Sequence, residues 1–285
     1  MIFATMRIAL LGSNGQLGKD LTGSLGQHQV TALTRDEFDV TDEPRARATL
    51  LDLKPEIIIN TTAYHRVDDC ETQPEIAYQT NVLAVLNLAR TASECGAQLV
   101  HFSTDYVFDG DSTTPYTEAS PPMPLSIYGN SKLAGEYIVR SVAKNHLLIR
   151  TCGLYGKAGS RGKGGNFVET MLAKGRTGQS LRVVADQVLT PTSTKALAYQ
   201  VAVMLAQKAS GLFHVTDEGG CSWYEFAAAI FELAGIPADL SPTTSDLYKS
   251  PALRPRYSVL ENARLKQLGF NHMPHWREDL AAYLR

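Results

Sequence analysis

"GSNGQLG", residues 12–18, follows the apolar run Arg7-Leu11 and leads into Gln16-Leu25, a stretch with helical spacing. Its glycines, Gly12, Gly15 and Gly18, are spaced G-x-x-G-x-x-G. Glycines so placed allow a tight strand-to-helix turn. They let backbone N–H groups approach a pyrophosphate at the helix N-terminus, and they let the helix pack close to the strand. A plain strand-to-helix turn uses the same residues. What favours cofactor binding is position, because the turn ends the first strand and opens the first helix.

Working outward, apolar runs of strand length recur at Val30-Leu33, Ile57-Asn60, Leu99-Ser103 and Leu147-Arg150, alternating with helical patterns at Pro44-Leu53, Pro74-Cys95 and Tyr128-Lys144. That alternation predicts an α/β fold, a Rossmann-type doubly wound parallel sheet, with runs such as EIIIN buried on both sides. After Arg150 the rhythm changes to the loop GKAGSRGKGGN, then helices near Phe167-Lys174, Lys195-Gln207, Ser222-Ala234 and Met273-Leu284, with strand-like LRVV and LFHV among them. Residues 1–155 are read as the dinucleotide-binding domain and 156–285 as a smaller, irregular α/β substrate region, with parts of 180–215 also serving the first.

The composition narrows the partners. With 285 residues, 44% of them hydrophobic, the chain can bury a sizeable core, and 27 basic against 29 acidic residues leave a net charge of -2. Such evenly mixed charge offers neither a nucleic acid nor a membrane surface a basic face, so a small molecule is the expected partner. Cys70, Cys95, Cys152 and Cys221 are far apart with no C-x-x-C pair, which predicts free thiols, no metal site and a reducing, cytoplasmic location. The opening MIFATMRIALLG lacks the plan of a signal peptide. His272 and His275, beside Pro274, lack further ligands for a metal.

Candidate site residues cluster at the ends of the predicted strands. The second, VTAL, runs into Thr34-Arg35. An arginine there suits a 2'-phosphate and favours NADPH, while Asp36 and Glu37 could serve NADH. Asp39-Val40 could cover the adenine edge. The third strand ends in NTTAYHRVDD, where Thr61, Thr62 and Ala63 are small enough for a cofactor to lie on the backbone. Asn81, polar in an apolar run, suits either a cofactor contact or a loop carbonyl, and His65 reads as a hydrogen-bonding filler. Asp68-Asp69-Cys70-Glu71 reads as a solvated approach to a helix N-terminus.

YGNSK puts Tyr128 and Lys132 at i and i+4, on one helix face, where an ammonium is expected to pull the phenol's pKa toward neutrality. STDYVFDG crowds Ser103, Thr104 and Asp105 at the end of the fourth strand, the place where doubly wound sheets bind ligands. Thr104 could hydrogen-bond a substrate carbonyl and Asp105 a sugar hydroxyl.

Together GSNGQLG, Asn60 to Asp69, STDYVFDG and YGNSKLAGE resemble an extended short-chain dehydrogenase/reductase. More narrowly the chain is similar to the dTDP-4-dehydrorhamnose reductase family, a likeness carried on through RTCGLYG, GGNFVETML, DQVLTPTST and RPRYSVL. The resemblance implies NAD(P)H-dependent reduction of the 4-keto group of a nucleotide-linked 6-deoxysugar. Tyr128 would supply the proton, Lys132 hold the nicotinamide ribose, and Thr104 polarise the carbonyl. Gly12, Asn14, Gly15, Gln16, Leu17, Asp39, Val40, Ala63 and Tyr64 match the family's cofactor contacts, and Thr104 with Asp105 its sugar contacts.

Three positions depart from the family pattern. Gly153 stands where R-T-S-W-x-Y-G has tryptophan, His65 replaces a threonine, and Leu189 replaces the glycine of D-Q-x-G-x-P-T. A nucleotide-sugar epimerase and a non-catalytic regulatory subunit on the same fold are the alternatives, and a homodimer is left open. Tyr106 after Asp105 disfavours a dehydratase, which tends to carry an acidic pair there, and intact Thr104, Tyr128 and Lys132 disfavour the regulatory role.

Overall fold

The computed structural model describes residues 5–159, 165–248 and 250–285; the first four residues and positions 160–164 of the glycine-rich loop lie outside them. The chain begins β1 (Arg7–Leu11), α1 (Gln16–Ser24), β2 (Gln29–Leu33), α2 (Glu43–Leu53), β3 (Ile57–Asn60), α3 (Val67–Thr72), α4 (Pro74–Tyr78), α5 (Ala84–Cys95), β4 (Gln98–Thr104), α6 (Ile127–Val142) and β5 (His146–Thr151). It continues β6 (Leu154–Tyr155), α7 (Phe167–Gly175), β7 (Leu181–Val184), β8 (Val188–Leu189), β9 (Thr192–Ser193), α8 (Thr194–Ala206), β10 (Gly211–His214), β11 (Cys221–Ser222), α9 (Trp223–Ala234), β12 (Leu240–Thr243), α10 (Ala263–Leu268) and α11 (Trp276–Leu284).

Six strands form one sheet in the order β10-β5-β4-β3-β1-β2, every pair parallel, in the Rossmann manner expected. Alternate strand residues face opposite sides, so both faces must be covered. On one side Ile8, Leu10, Ile57 and Ile59 pack with Leu17 and Leu21 of α1 and Leu197 and Val201 of α8. On the other, Ala9, Leu11, Ile58 and Leu99 pack with Leu50 of α2, Leu88 of α5 and Val139 of α6. A third core joins Tyr155, Val168, Phe226, Ile230, Trp276 and Leu280 around α7, α9 and α11.

The structure corrects three local expectations. Residues 74–95 are not one continuous α-helix, because a π-helical turn over Gln79–Leu83 separates α4 from α5 and carries the buried Asn81. The acidic run 68–71 is only partly solvated. It lies in α3, with Cys70 fully buried, Asp68 paired to Arg254 at 3.0 Å, and Glu71 Oε1 accepting from the Ile127 N–H at 2.8 Å. The last helix starts at Trp276 rather than Met273, since the His275 side chain caps it by accepting from Arg277 N. Among the described residues no helix is long and apolar enough to cross a membrane.

Candidate active site

The glycine turn sits where β1 meets α1. Gly12 has φ +77, and a Cβ on it would lie 2.7 Å from Thr61 Oγ1; one on Gly18 would lie 2.3 Å from the Gly12 carbonyl oxygen. Side chains are therefore excluded, and the backbone forms an open cradle. Helix α1 begins at an N-cap, Gly15, without a side-chain cap and without an acidic residue in its first turn. Unpartnered N–H groups at a positive helix end fit a phosphate, so the cradle fits a dinucleotide. Gln16 and Asn14 border it half-buried; Gln16 donates to the Leu154 carbonyl at 3.3 Å, and Leu17 turns into the core.

At the end of β2 the Arg35 side chain is 85% exposed, with Nε 3.9 Å from Asp39 Oδ2. The neighbouring acids are occupied. Glu37 Oε2 accepts from the Thr34 N–H and hydroxyl, which hold its carboxyl below the usual range, and Asp39 Oδ1 accepts from Thr41. Val40 is a core residue beside Phe38 and Leu50.

Past β3, Asn60 Oδ1 accepts from the N–H and hydroxyl of Thr62, and its amide donates to His101 Nδ1 at 3.2 Å. The proton of His101 is thereby placed on Nε2, and burial together with the nearby Lys132 charge keeps the ring neutral. The His65 ring donates to the Ala63 carbonyl at 3.2 Å. Asn81 is 1% exposed, and its amide is used entirely inside the protein: Oδ1 accepts from Tyr64 N, while Nδ2 donates to Tyr64 O and Ser131 Oγ. The expected direct cofactor contact is therefore corrected to a positioning role. Asn81 ties the Ala63-Tyr64 loop to α6, whose Ser131 lies next to Lys132.

Helix α6 carries Tyr128 and Lys132. Its N-terminus is fixed by Ser126 Oγ, which accepts from Gly129 N, and by Glu71; a Cβ on Gly135 would stand 2.5 Å from the Asn81 carbonyl oxygen, so the helix lies close on the π-turn. Lys132 is 2% exposed and donates to the Phe102 carbonyl at 2.6 Å. Burial lowers its pKa to about 8, against the pull of Glu136. One turn on, Glu136 takes Arg150 bidentately at 2.8 and 2.7 Å and the Ser103 hydroxyl at 2.5 Å, all fully buried. These partners bind the helix to β4 and β5.

The Tyr128 ring meets Tyr106 edge-on, 5.6 Å between centroids. The expected depression of its phenol by Lys132 is reversed in direction: burial pushes the pKa up, opposed by a hydrogen bond with Thr104, while the ammonium is held by Phe102. Thr104 Oγ1 donates to Asp105 Oδ1 at 3.0 Å and accepts from Tyr106 N. Asp105 is 3% exposed; Ser258 donates to its Oδ2 at 2.7 Å, Cys152 hydrogen-bonds it too, and burial raises its pKa. With three internal partners, the carboxylate retains little acceptor capacity for a ligand.

Asp105 and Tyr106 open onto a small pocket lined also by Leu189, Trp223, Arg254 and Ser258. The last four come from beyond residue 180; the sequence had singled out Leu189 as a departure, while its site reading missed Trp223, Arg254 and Ser258, though RPRYSVL held two of them. The structure thus brings Thr104, Asp105, Tyr128 and Lys132 together, with the glycine turn, Ala63 and Tyr64 at the neighbouring strand ends.

A proton-bearing phenol and a lysine on one helix, beside a dinucleotide cradle on a parallel sheet, define the class: a short-chain dehydrogenase/reductase. The comparisons narrow this. The family described as RmlD substrate binding domain matches residues 6–285, and the chain belongs to it. It is 41% identical over 281 residues to the spore coat polysaccharide biosynthesis protein SpsK of Bacillus subtilis, covering 98% of this chain and 97% of that protein. A dTDP-4-dehydrorhamnose reductase crystal structure from Clostridium acetobutylicum superposes with TM-score 0.94 at 40% identity, over 98% of both chains. That of Bacillus anthracis, in complex with NADP, gives TM-score 0.94 at 35% identity over 98% and 99%.

Proposed function

We propose that this protein is an NADPH-dependent reductase that converts dTDP-4-dehydrorhamnose to dTDP-L-rhamnose. The observation that carries the reading is Thr104, at the end of β4, hydrogen-bonded to a Tyr128 that shares one helix face with Lys132. Residues 1–155, with part of 180–215, hold the cofactor, and the remainder of 156–285 holds the sugar. Among the described residues no cysteine is in a disulfide, in keeping with a cytoplasmic enzyme.

NADPH, when bound, supplies a hydride to the ketone carbon. Tyr128 gives its proton to the carbonyl oxygen; burial keeps the phenol protonated but makes it a weaker acid, so the transfer rests on its position beside Thr104. Thr104, whose one hydroxyl proton goes to Asp105 Oδ1 in this structure, would have to turn that proton toward the same oxygen to polarise it. Lys132 keeps two N–H groups beyond the one on Phe102, enough to hold ribose hydroxyls. The glycine turn takes the pyrophosphate on backbone N–H groups.

The test is purified protein with dTDP-4-dehydrorhamnose, following NADPH and NADH absorbance in parallel. Sugar-dependent, stoichiometric oxidation is expected; a bound cofactor that is not consumed rejects the reductase reading and favours an epimerase that regenerates it. In the same assay Arg35→Ala should raise the KM for NADPH by roughly 10–100-fold, the worth of a charge-assisted hydrogen bond, and leave NADH unchanged. An unaltered NADPH/NADH ratio removes Arg35 from cofactor selection.

Lys132 also sets a pH limit. Its folded-state pKa is lowered, so the ammonium is present below about 8 and lost above it. The value of kcat/KM is expected to be flat below that pH and to fall roughly tenfold per unit above it. A limb that appears only near the ordinary lysine pKa would assign it to another group.

A further inference from the structure

Gly153 lies between β5 and β6 with φ +57, partly exposed beside Cys152. A Cβ built on it would stand 3.0 Å from Leu189 Cδ1, 3.0 Å from Pro191 Cα and 3.1 Å from the Thr190 carbonyl oxygen. The direction a side chain at 153 would take therefore leads into the 189–191 segment, where it meets the Leu189 side chain as well as the backbone of Thr190 and Pro191. Close-packed interiors do not hold two large groups in one place, so bulk at 153 and bulk at 189 exclude each other.

Leu189 is 5% exposed and lines the same pocket as Asp105, Tyr106, Trp223 and Arg254. Its backbone pairs with Cys221 of β11, and the next residue is fixed by the Thr190 hydroxyl, which donates to the Gly219 carbonyl at 2.8 Å. The polar groups around it are mostly engaged: Asp105 by Thr104, Ser258 and Cys152, and Arg254 by Asp68. What this wall offers a sugar is its shape and its apolar surface.

We propose that Leu189, seated in the space that the missing side chain of Gly153 leaves open, is a specificity-determining residue of the sugar pocket, packing on the C–H and methyl face of the 6-deoxyhexose. This rests on the reductase reading. Residues 153 and 189 act as one unit, in that the Leu189 side chain stands where a Cβ at 153 would point. The two positions at which RTCGLYG and DQVLTPT depart from the family pattern are thus a linked pair, and not two separate losses.

The experiment is a double-mutant cycle of Gly153→Ala and Leu189→Ala. It is measured with dTDP-4-dehydrorhamnose and with its C3/C5 epimer, dTDP-4-keto-6-deoxy-D-glucose. The left-handed strain of alanine at 153 is common to both backgrounds and cancels in the cycle, which isolates the contact. Gly153→Ala should lower kcat/KM for dTDP-4-dehydrorhamnose about tenfold with Leu189 present and by a clearly smaller factor with alanine at 189, the contacts with the Thr190 and Pro191 backbone being common to both backgrounds. Leu189→Ala should shrink the discrimination between the two sugars by roughly tenfold, the scale set by one methyl-sized contact in an apolar pocket. The KM for NADPH should stay constant in all four proteins, which a merely structural role at 189 would not preserve.

Independent, multiplying losses, or an unchanged sugar preference, overturn the proposal. Should Leu189→Ala fail to fold, Leu189→Met keeps the volume and alters the wall, and the same shift in preference is required of it. If wild-type protein consumes no NADPH with either sugar, the reductase reading falls. The cycle is then read from the Kd for dTDP-L-rhamnose by calorimetry, where coupling sustains the pairing and independence or absent binding overturns it.

Discussion

Tyr128→Phe is expected to lower kcat by roughly 10²–10⁴-fold, the usual contribution of a positioned proton donor. The substitution removes one oxygen and keeps the ring, so the edge-on contact with Tyr106 at 5.6 Å survives. Cofactor affinity should therefore be unchanged within about twofold, since nothing in the glycine turn depends on the phenol oxygen. Steady-state kinetics alongside NADPH titration by fluorescence separates the two quantities. Activity within tenfold of wild type would falsify the assignment of the proton to Tyr128, whatever became of the substrate.

The second large effect falls on stability. In Glu136→Gln the Arg150 guanidinium loses its anionic partner in a place where both side chains are at most 2% exposed. Breaking a buried pair by neutralising one member costs about 3–5 kcal/mol, a large share of the roughly 5–15 kcal/mol that holds a typical domain together. Urea denaturation should show the midpoint falling by that equivalent. The paired change Glu136→Met with Arg150→Leu should cost much less, because no charge is then left buried alone. If the single variant is as stable as wild type, the pair does not anchor α6. The reach of the effect is functional too, as Glu136 stands one turn from Lys132 and resists the lowering of its pKa.

Local pattern was enough to read β1, its glycine turn and the two residues on α6. There the apolar run, the φ-positive Gly12 and the i,i+4 spacing are all decided by neighbours within a few positions. The same logic could not place α3. Its acidic residues look wholly solvated because the groups that pair them, Arg254 and the Ile127 N–H, come from 186 and 56 positions away. The π-turn was hidden for a related reason: Asn81 leaves the α-helical register to reach the Tyr64 backbone, a partner periodicity does not record. Tyr128 shows a different limit. Spacing announces a lysine beside a phenol, but the direction of the phenol's shift depends on burial and on where the ammonium points.

The position of β10 in the sheet bears on how the chain reaches this structure. Strand β5 finds its outer neighbour only at Gly211–His214, and α8, which covers one face of the sheet beside α1, also arrives late. During synthesis the first 155 residues emerge with an unpaired strand edge and half of one sheet face bare, a state prone to aggregation. The first 155 residues are thus not expected to fold as an independent unit. A fragment ending at residue 155 should be recovered as aggregate, and completion of the sheet waits on passage of the intervening sugar-side segment.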